Sequence, residues 1–483
     1  MSRRKLGWGM AVAAVAALVS IGIFVVRLLQ RDEPEVHANI VEHFKYGSIG
    51  SEGRGGIPYS LWLALPRAFP EHLPKGPGHG YERLGFLYEP GKRRPIGTSY
   101  RENPLGQVGL NCAVCHTGLV RSSAAAPPRL VLGMPANQLH LQAYVKFLRA
   151  SGKDERFNAD TLIPAIRKAD PDFSWTDELI YRHFVIPRTR KALLEVDKQF
   201  AWMDRRPPQG PGRVDTFNPY KVLLGIDRAS DKTVGTVDLP SLWNQRPRRG
   251  MYLHWDGNNN KVEERNISAA IGAGVMEDTK GMKDSLDEPS MARLADWISD
   301  LKPPAYPAER IDRPLARRGA TVFAERCAAC HAFDGSRVGQ VTPIDAVRTD
   351  RERLDSFSPE LARLMNTLGE GRPWHFRHFR KTNGYANMPL DGLWLRAPYL
   401  HNGSVPDLRS LLSPPAERPR AFYRNYDVYD WRRVGFVSRG PEAGRVGYRF
   451  DTTERGNGNA GHLYGTRLPE QDKEALIEYL KGL

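Results

Sequence analysis

The sequence of 483 residues predicts a mainly α-helical protein, in which two tandem domains with long loops and a helical insertion follow one N-terminal transmembrane helix. Two observations predict the pair of domains: a five-residue motif occurs twice, and an amphipathic helix closes each unit. The 45 glycines and 37 prolines exceed average usage and favour ordered loops over extended sheets. The predicted segments are 1–31, then domains 32–302 and 315–483.

The repeated motif is Cys-x-x-Cys-His, at Cys112–His116 and Cys327–His331. It is the attachment signal for c-type haem, because each thiol can add to a porphyrin vinyl group and the histidine can then bind the iron. A zinc site is the alternative, but its cysteine pairs usually lie about 15–20 residues apart, whereas these lie in different halves of the chain. The sequence therefore predicts two cytochrome c-like domains with two covalently bound haem c groups. The attachment residues are Cys112, Cys115, Cys327 and Cys330, and the axial iron ligands are His116 and His331.

An uncharged segment from Leu6 to Val26 follows Arg3, Arg4 and Lys5. As a helix rising about 1.5 Å per residue, it would span roughly the 30 Å hydrocarbon core of a bilayer. Cleaved signal peptides have shorter apolar regions followed by a small-x-small site, and the alanines here come too early for such a site. We expect an uncleaved single-pass anchor in the bacterial inner membrane, with the remainder on its periplasmic side. Export after signal cleavage is the alternative.

The formal net charge is +15, and part of it lies in arginine clusters such as Arg246–Arg249. No long Lys/Arg run or nucleic-acid-binding signature accompanies this charge, so we expect no nucleic-acid partner. Two explanations of the charge are open. The basic surface could meet anionic lipid or an acidic redox partner, or arginines could neutralise haem propionates.

Periodic apolar residues predict where the two units begin and end. Leu315–Phe323 leads into the second motif as an amphipathic helix, and Ala475–Leu480 forms a closing helix. A similar helix at Ala292–Leu301 closes the first unit, so Lys302–Pro314 is the linker. Helical patterns over about 136–203 predict the insertion, for which plain packing and shaping of a substrate channel are both open.

With the haem motifs placed, the sequence resembles the bacterial dihaem cytochrome c peroxidase superfamily. Within it, the chain is most similar to the branch of rubber oxygenases and dihaem fatty-acid dioxygenases. The resemblance covers most of residues 40–483. It is carried by the segments Phe44–Gly50, Tyr81–Phe86, His254–Asn259, Ala397–Ser404 and Gly456–His462.

The resemblance implies roles for residues around the first haem. Trp255 matches the tryptophan that relays electrons between the haems, and a plain core tryptophan is the alternative. Peroxidase members carry a glutamine and a glutamate further along, where this chain has Arg265 and Val275. Neither can supply the carboxylic acid that peroxide cleavage needs. A small alignment gap would bring Glu264 or Glu277 into range.

An apolar distal pocket is therefore expected at the first haem. The segment Ile267–Val275 is small and apolar and includes Ile271. It resembles the pocket of the oxygenase branch, where dioxygen and an apolar substrate meet. His254, beside the relay tryptophan, has three open roles: capping the first iron, contacting a propionate, or lying in a surface loop.

The second haem differs from that of the peroxidases. These place a methionine after the His-x-Gly-Ser turn, at a position where this chain has Pro415. His462 matches the distal histidine of the rubber-oxygenase branch. The resemblance thus implies His331/His462 ligation and a low potential, since histidine lacks the raising effect of methionine. Met388 is the alternative ligand, and His401 is expected beside the ligands rather than on the iron.

These observations predict a membrane-anchored dihaem oxidoreductase whose first haem reacts and whose second haem transfers electrons through Trp255. Three functions are open. O₂-dependent oxidation of an unsaturated apolar substrate is favoured by the apolar pocket, and peroxide reduction is disfavoured by Arg265 and Val275. Electron transfer without catalysis would follow if His254 closed the first haem. The expected redox partner is a small cytochrome or cupredoxin, and the expected substrate is apolar or a peroxide.

Overall fold

The computed structural model describes residues 32–229, 231–275 and 285–483. The predicted transmembrane helix falls in segment 1–31, outside these residues, and within them no helix is long and apolar enough to cross a membrane. The prediction of a mainly α-helical fold is wrong, because the chain is mixed, with 42% helix and 12% strand. The strands contain only two to five residues each. Such strands are too short to show the alternating pattern by which strands are recognised.

The helices vary in length from single turns to four turns. In chain order they are α1 Ile40–Tyr46, α2 Glu52–Gly55, α3 Tyr59–Ala68, α4 Cys112–Cys115, α5 Leu141–Lys153, α6 Ala159–Ala169, α7 Trp175–Ile180, α8 Ile186–Phe200, α9 Asn218–Leu223, α10 Val262–Gly272, α11 Glu288–Asp300, α12 Arg313–Arg326, α13 Ala328–His331, α14 Ile344–Val347, α15 Glu352–Ser356, α16 Pro359–Met365, α17 Leu408–Leu411, α18 Pro441–Val446 and α19 Glu470–Leu480. A π-helical turn, Tyr181–Val185, joins α7 to α8.

The strands form one four-stranded antiparallel sheet, in the order β1-β3-β4-β2, and five antiparallel pairs, β5–β6, β7–β8, β9–β10, β11–β14 and β12–β13. Their bounds are β1 Glu33–Pro34, β2 Ile57–Pro58, β3 Thr98–Glu102, β4 Gln107–Leu110, β5 Thr117–Val120, β6 Arg129–Leu132, β7 Arg213–Asp215, β8 Thr236–Asp238, β9 Val341–Pro343, β10 Gly384–Ala386, β11 Ala421–Arg424, β12 Tyr429–Asp430, β13 Gly435–Phe436 and β14 Tyr448–Asp451. The first motif lies between the end of β4 and the start of β5, so paired strands hold it on both sides.

The individual helices predicted from periodicity are confirmed. The helix entering the second motif is α12, the closing helices are α11 and α19, and the pattern after Leu139 becomes α5. The segment 136–203 is helical, and its buried side chains join Trp62 and Tyr81 in one core cluster. These helices therefore pack against the body of the first unit.

A second core cluster crosses the predicted domain boundary. It combines Phe44, Ala270 and Leu294 with Phe357 and Leu361, which follow the second motif. Chain from beyond the linker thus contributes to the core beside the first motif, and the division into two domains stays a prediction.

Helices α12 and α19 cross closely at Gly319. A Cβ atom added there would overlap the backbone carbonyl of Ala475, so the crossing requires a residue without a side chain. The contact places α12, which ends at the second motif, against the C-terminal helix.

Gly319→Ala is therefore expected to reduce the free energy of unfolding by about 1–3 kcal/mol, the usual cost of overpacking. Denaturant titration of the haem-loaded protein measures it. Gly272→Ala, at the end of α10, is the control because nothing lies within 4 Å of its added Cβ. Equal midpoints for the two variants would contradict the close crossing.

Candidate functional site

The first motif forms a single helical turn that is capped by the residue before it. The side chain of Asn111 accepts a hydrogen bond from the backbone N–H of Ala113 at 3.0 Å and donates to the carbonyl of Gly47 at 2.9 Å. An asparagine N-cap satisfies a backbone donor that the helix leaves free. Both thiols are free, and burial raises the pKa of Cys112 to about 11 and that of Cys115 to about 12.

His116 is oriented by a backbone carbonyl. Its Nδ1 lies 2.8 Å from the carbonyl oxygen of Pro240, which leaves Nε2 as the nitrogen available to a metal. Burial, with the charge of Arg265 adding to the effect, lowers the pKa of His116 to about 3. The imidazole is therefore neutral at physiological pH, as a metal ligand must be.

An open cavity lies beside His116 and both cysteines of the first motif, and its space measures about 600 Å³ when the solvent at its mouth is included. Helix α10 contributes Arg265 and Ala269, one turn apart, and Ala273 lines the cavity directly after the helix ends, while α11 contributes an apolar row. The remaining walls include Ile49 and Leu242. The cavity is thus apolar except for a few polar groups, as is usual for cofactor and substrate sites.

Arg265 brings a positive charge to this cavity. No carboxylate among the described residues pairs with its side chain, and burial lowers its pKa to about 10. The guanidinium remains protonated at neutral pH. Since an unpaired buried charge is costly, its position favours an anionic partner in the cavity.

His254 and Trp255 lie in a turn that a buried ion pair fixes. Arg353 donates to Asp256 at 2.8 Å, and both side chains are about 1% exposed. Nε2 of His254 is buried without a hydrogen-bond partner in the described part of the chain. Burial lowers the pKa of His254 well below its ordinary value, with Arg265 and Arg353 adding to the effect.

Trp255 contacts segments that also hold His116 and His462. Its Nε1 donates to the carbonyl of Asp238 at 3.0 Å, two residues before the carbonyl that orients His116. Its ring packs against a small cluster that includes Val347. The carbonyl of Val347 in turn accepts from the backbone N–H of His462 at 2.7 Å.

The second motif places two imidazoles opposite each other. The ring centroids of His331 and His462 are 6.2 Å apart. Two metal–nitrogen bonds of about 2 Å each, plus half the width of each ring, give a separation of roughly this size. Nδ1 of His331 lies 2.7 Å from the carbonyl oxygen of Met388. Met388 therefore sits on the side of His331 away from its free nitrogen, which disfavours it as a ligand opposite His331.

Arg418 holds the loop that carries His462. Its guanidinium donates to the carbonyls of Asn459 at 2.6 Å and Gly461 at 2.9 Å, and more weakly to that of His462. Further bonds reach Ser413 and Leu411. His462 itself has a positive φ of 46°, and such a backbone needs support from its surroundings. Burial lowers its pKa to about 3, with His331 and Arg418 adding to the effect.

Arg418→Met is expected to loosen this loop while keeping most of the side-chain volume. Imidazole added in solution should then displace His462 at concentrations that leave the parent protein unchanged, as measured by the Soret spectrum. Arg420→Met, two residues along, is the matched control. Identical imidazole titrations for all three proteins would exclude a positioning role for Arg418.

The residues at both motifs fit covalently bound haem. Each has two free thiols and a neutral histidine whose Nδ1 is held by a backbone carbonyl. The first adds a cavity, and the second adds a facing imidazole. These are the requirements of c-type attachment and axial ligation.

Sequence reasoning placed some site residues better than others. Arg265 lines the first cavity together with Ala269 and Ala273 of the segment 267–275, whereas Ile271 of that segment is packed in the core. His401 is stacked on Tyr385 with ring centroids 4.1 Å apart, and its Nε2 lies 2.9 Å from the Tyr385 hydroxyl. The carbonyls of Pro240 and Met388 and the side chain of Arg418 were missed, since no local pattern marks such long-range bonds. The Asn111 cap had a local signal, an asparagine directly before a short helix.

Residues 384–423 match the family described as RoxA-like, cytochrome c-like. They include the carbonyl that orients His331 and the buried His401. Together with the motifs, this match supports a c-type cytochrome with covalently bound haem c, a haem-based redox protein of general oxidoreductase type.

The chain is also similar to two proteins of Sinorhizobium fredii (strain NBRC 101917 / NGR234). "Uncharacterized protein y4iJ" is 26% identical over 508 residues, which cover 85% of this chain and 82% of that protein. "Uncharacterized protein y4iM" is 30% identical over 289 residues, which cover 51% of this chain and 64% of that protein. Neither name assigns a function.

Proposed function

We propose that the chain is a dihaem oxidoreductase whose two sites have different tasks. The first is where an unsaturated apolar substrate is oxidised with dioxygen, and the second transfers electrons. The observation that carries this proposal is the difference between the groups that face the two motif histidines. His331 faces another imidazole, whereas His116 lies beside an open cavity that has no second histidine among its lining residues in the described part of the chain.

When bound, haem supplies a one-electron redox centre at each site and, where one iron position is open, a place for dioxygen to bind. The residues of the chain prepare the first site for this chemistry. Pro240 fixes the orientation of His116, and the apolar walls exclude water and suit an apolar substrate. Arg265 directs a positive charge at the same space, where it stabilises negative charge.

The lining of the cavity favours oxygenation over peroxide reduction. Peroxide cleavage is assisted by a carboxylic acid next to the iron, and no described lining residue is Asp or Glu. Glu264 is engaged elsewhere: it accepts from Asn259 at 2.8 Å and lies 2.5 Å from Nδ1 of His378. Glu277 lies outside the described residues.

The contacts of Trp255 support an electron-relay role in this proposal. Its indole donates to Asp238, two residues before the carbonyl that orients His116, and packs against a cluster that includes Val347, whose carbonyl accepts from the backbone N–H of His462. Electrons would enter or leave at the second haem through a small cytochrome or cupredoxin. The proposed location is the periplasmic side of the inner membrane, with residues 6–26 as the anchor.

Electron transfer without catalysis is the second candidate, and one observation favours it. Nε2 of His254 is buried, lacks a partner among the described residues and belongs to a neutral imidazole close to Arg265. A neutral unpartnered imidazole is a potential iron ligand. If it bound the first iron, both haems would be closed.

The test is whether one haem binds small ligands and whether the cavity supports turnover. The reduced protein is expected to bind carbon monoxide at one of its two haems and to consume dioxygen with unsaturated, but not saturated, hydrocarbons. Ala269→Phe fills the cavity and should abolish uptake, whereas Ala192→Phe, an exposed site on α8, should not. Two ligand-refractory haems in every redox state would refute the oxygenase proposal and favour the carrier.

A further inference from the structure

Three large apolar side chains are exposed close together on the helical segment α7–π turn–α8. Trp175 is 66% exposed, Leu179 is 42% exposed and Phe184 is 69% exposed. Isolated exposed apolar residues are common, but a cluster of them marks an interaction site.

The π turn aligns these side chains. Trp175 and Leu179 are four residues apart in α7 and so lie on one face. The N–H of Ile186 bonds to the carbonyl of Tyr181, an i→i+5 bond, so the turn contains one extra residue. Residues five apart therefore fall on the same face here, which brings Phe184 into line with Leu179.

Basic residues continue the same face into α8. Arg188 lies four residues after Phe184, and Lys191 lies three residues after that, so both follow the apolar stripe in helical register. Both are exposed, and neither has an ion-pair partner among the described residues. We call the five residues Trp175, Leu179, Phe184, Arg188 and Lys191 the aromatic–basic face.

This face lies near the point where the N-terminal segment joins the described structure. Tyr181, in the π turn, donates to the carbonyl of Leu105 at 3.3 Å. Leu105 follows β3, whose last residue, Glu102, pairs with Glu33 in β1. The first described residues, at β1, are therefore linked through β3 and Leu105 to the π turn that carries Phe184.

We propose that the aromatic–basic face rests on an anionic lipid bilayer. Tryptophan and phenylalanine insert at the boundary between headgroups and acyl chains, and lysine and arginine attract anionic headgroups. The occupant is lipid because aromatic and unpaired basic side chains share one helix face, and because an uncharged segment of bilayer length precedes β1 in the sequence. The proposal rests on the proposed membrane anchoring and is independent of the haem chemistry.

The experiment uses the full haem-loaded chain in vesicles of phosphatidylcholine and phosphatidylglycerol. A photoreactive benzoyl-phenylalanine replaces Phe184 in one sample and Phe333 in the control. Phe333 is also exposed, at 41%, but lies beside the second motif. Mass spectrometry is expected to find several-fold more lipid adduct at position 184. Arg188→Ala/Lys191→Ala should reduce that adduct several-fold.

Adducts to a second copy of the chain or to another protein at position 184, or no lipid adduct there, would overturn the proposal. Sedimentation with vesicles after a high-salt wash distinguishes the proposed N-terminal anchor from the proposed lipid contact of the aromatic–basic face. A chain that sediments without a lipid adduct at 184 is anchored but does not use this face. A chain that neither sediments nor forms the adduct refutes both the anchor and the face.

Discussion

Replacing His462 with glycine is expected to open the second haem to external ligands. The parent protein should show one low-spin haem that does not bind carbon monoxide, because the facing imidazoles of His331 and His462 would be the two axial ligands of the proposed second haem. In the variant this low-spin signal should disappear, and carbon monoxide binding should rise from one haem per chain to two. Optical titration of the reduced protein and low-temperature paramagnetic resonance of the oxidised protein measure the change.

Imidazole rescue makes this test specific. Free imidazole should fill the space left in His462→Gly and restore the low-spin spectrum, which a general loosening of the fold would not allow. His401→Gln is the control, because His401 is also buried but is stacked on Tyr385. An unchanged low-spin signal in His462→Gly would point to another ligand, and Met388 would be the first to replace.

Removing the thiols of one motif is expected to remove one haem. Cys327→Ala/Cys330→Ala should lower the ratio of covalent haem to chain from two to one, since the thioether bonds need both cysteines of the motif. The haem that remains should be the one that binds carbon monoxide. The pyridine haemochrome spectrum after acid–acetone extraction measures the ratio.

The reciprocal variant supplies the control. Cys112→Ala/Cys115→Ala should also leave one haem, but a low-spin one without carbon monoxide binding. A ratio of one in the parent protein would show that only one motif is used. Loss of both haems in either variant would show that the sites depend on each other for maturation.

The chemistry-bearing residues could be predicted because they are local. A few consecutive residues are enough to identify both Cys-x-x-Cys-His motifs. The same is true of the helix that enters the second motif and of the closing helix after Pro469. The short strands could not be predicted in this way. β5 begins directly after His116 and is held by its partner β6, not by any alternation of its own four residues.

Contacts between distant segments were the other features that the sequence could not predict. Arg418 reaches carbonyls around 411–413 and 459–462, and nothing in the neighbourhood of Arg418 indicates them. The residues of the segment 267–275 that face the cavity could not be chosen from the sequence for a related reason. Composition indicated an apolar segment, but only the packing of α10 decides that Ala269 and Ala273 line the cavity while Ile271 enters the core.

Both motif histidines direct Nδ1 at a backbone carbonyl, Pro240 in one case and Met388 in the other. A carboxylate in that place would pull the proton away and make the imidazole a stronger electron donor to its iron. A neutral carbonyl polarises the imidazole N–H only weakly. The same kind of carbonyl contact is present at both motifs. With haem bound at both motifs, His116 and His331 would therefore donate electron density to their irons about equally. Any difference in reactivity would then come from the residues on the opposite side of each haem, so exchanging those distal residues should exchange the behaviour of the two haems.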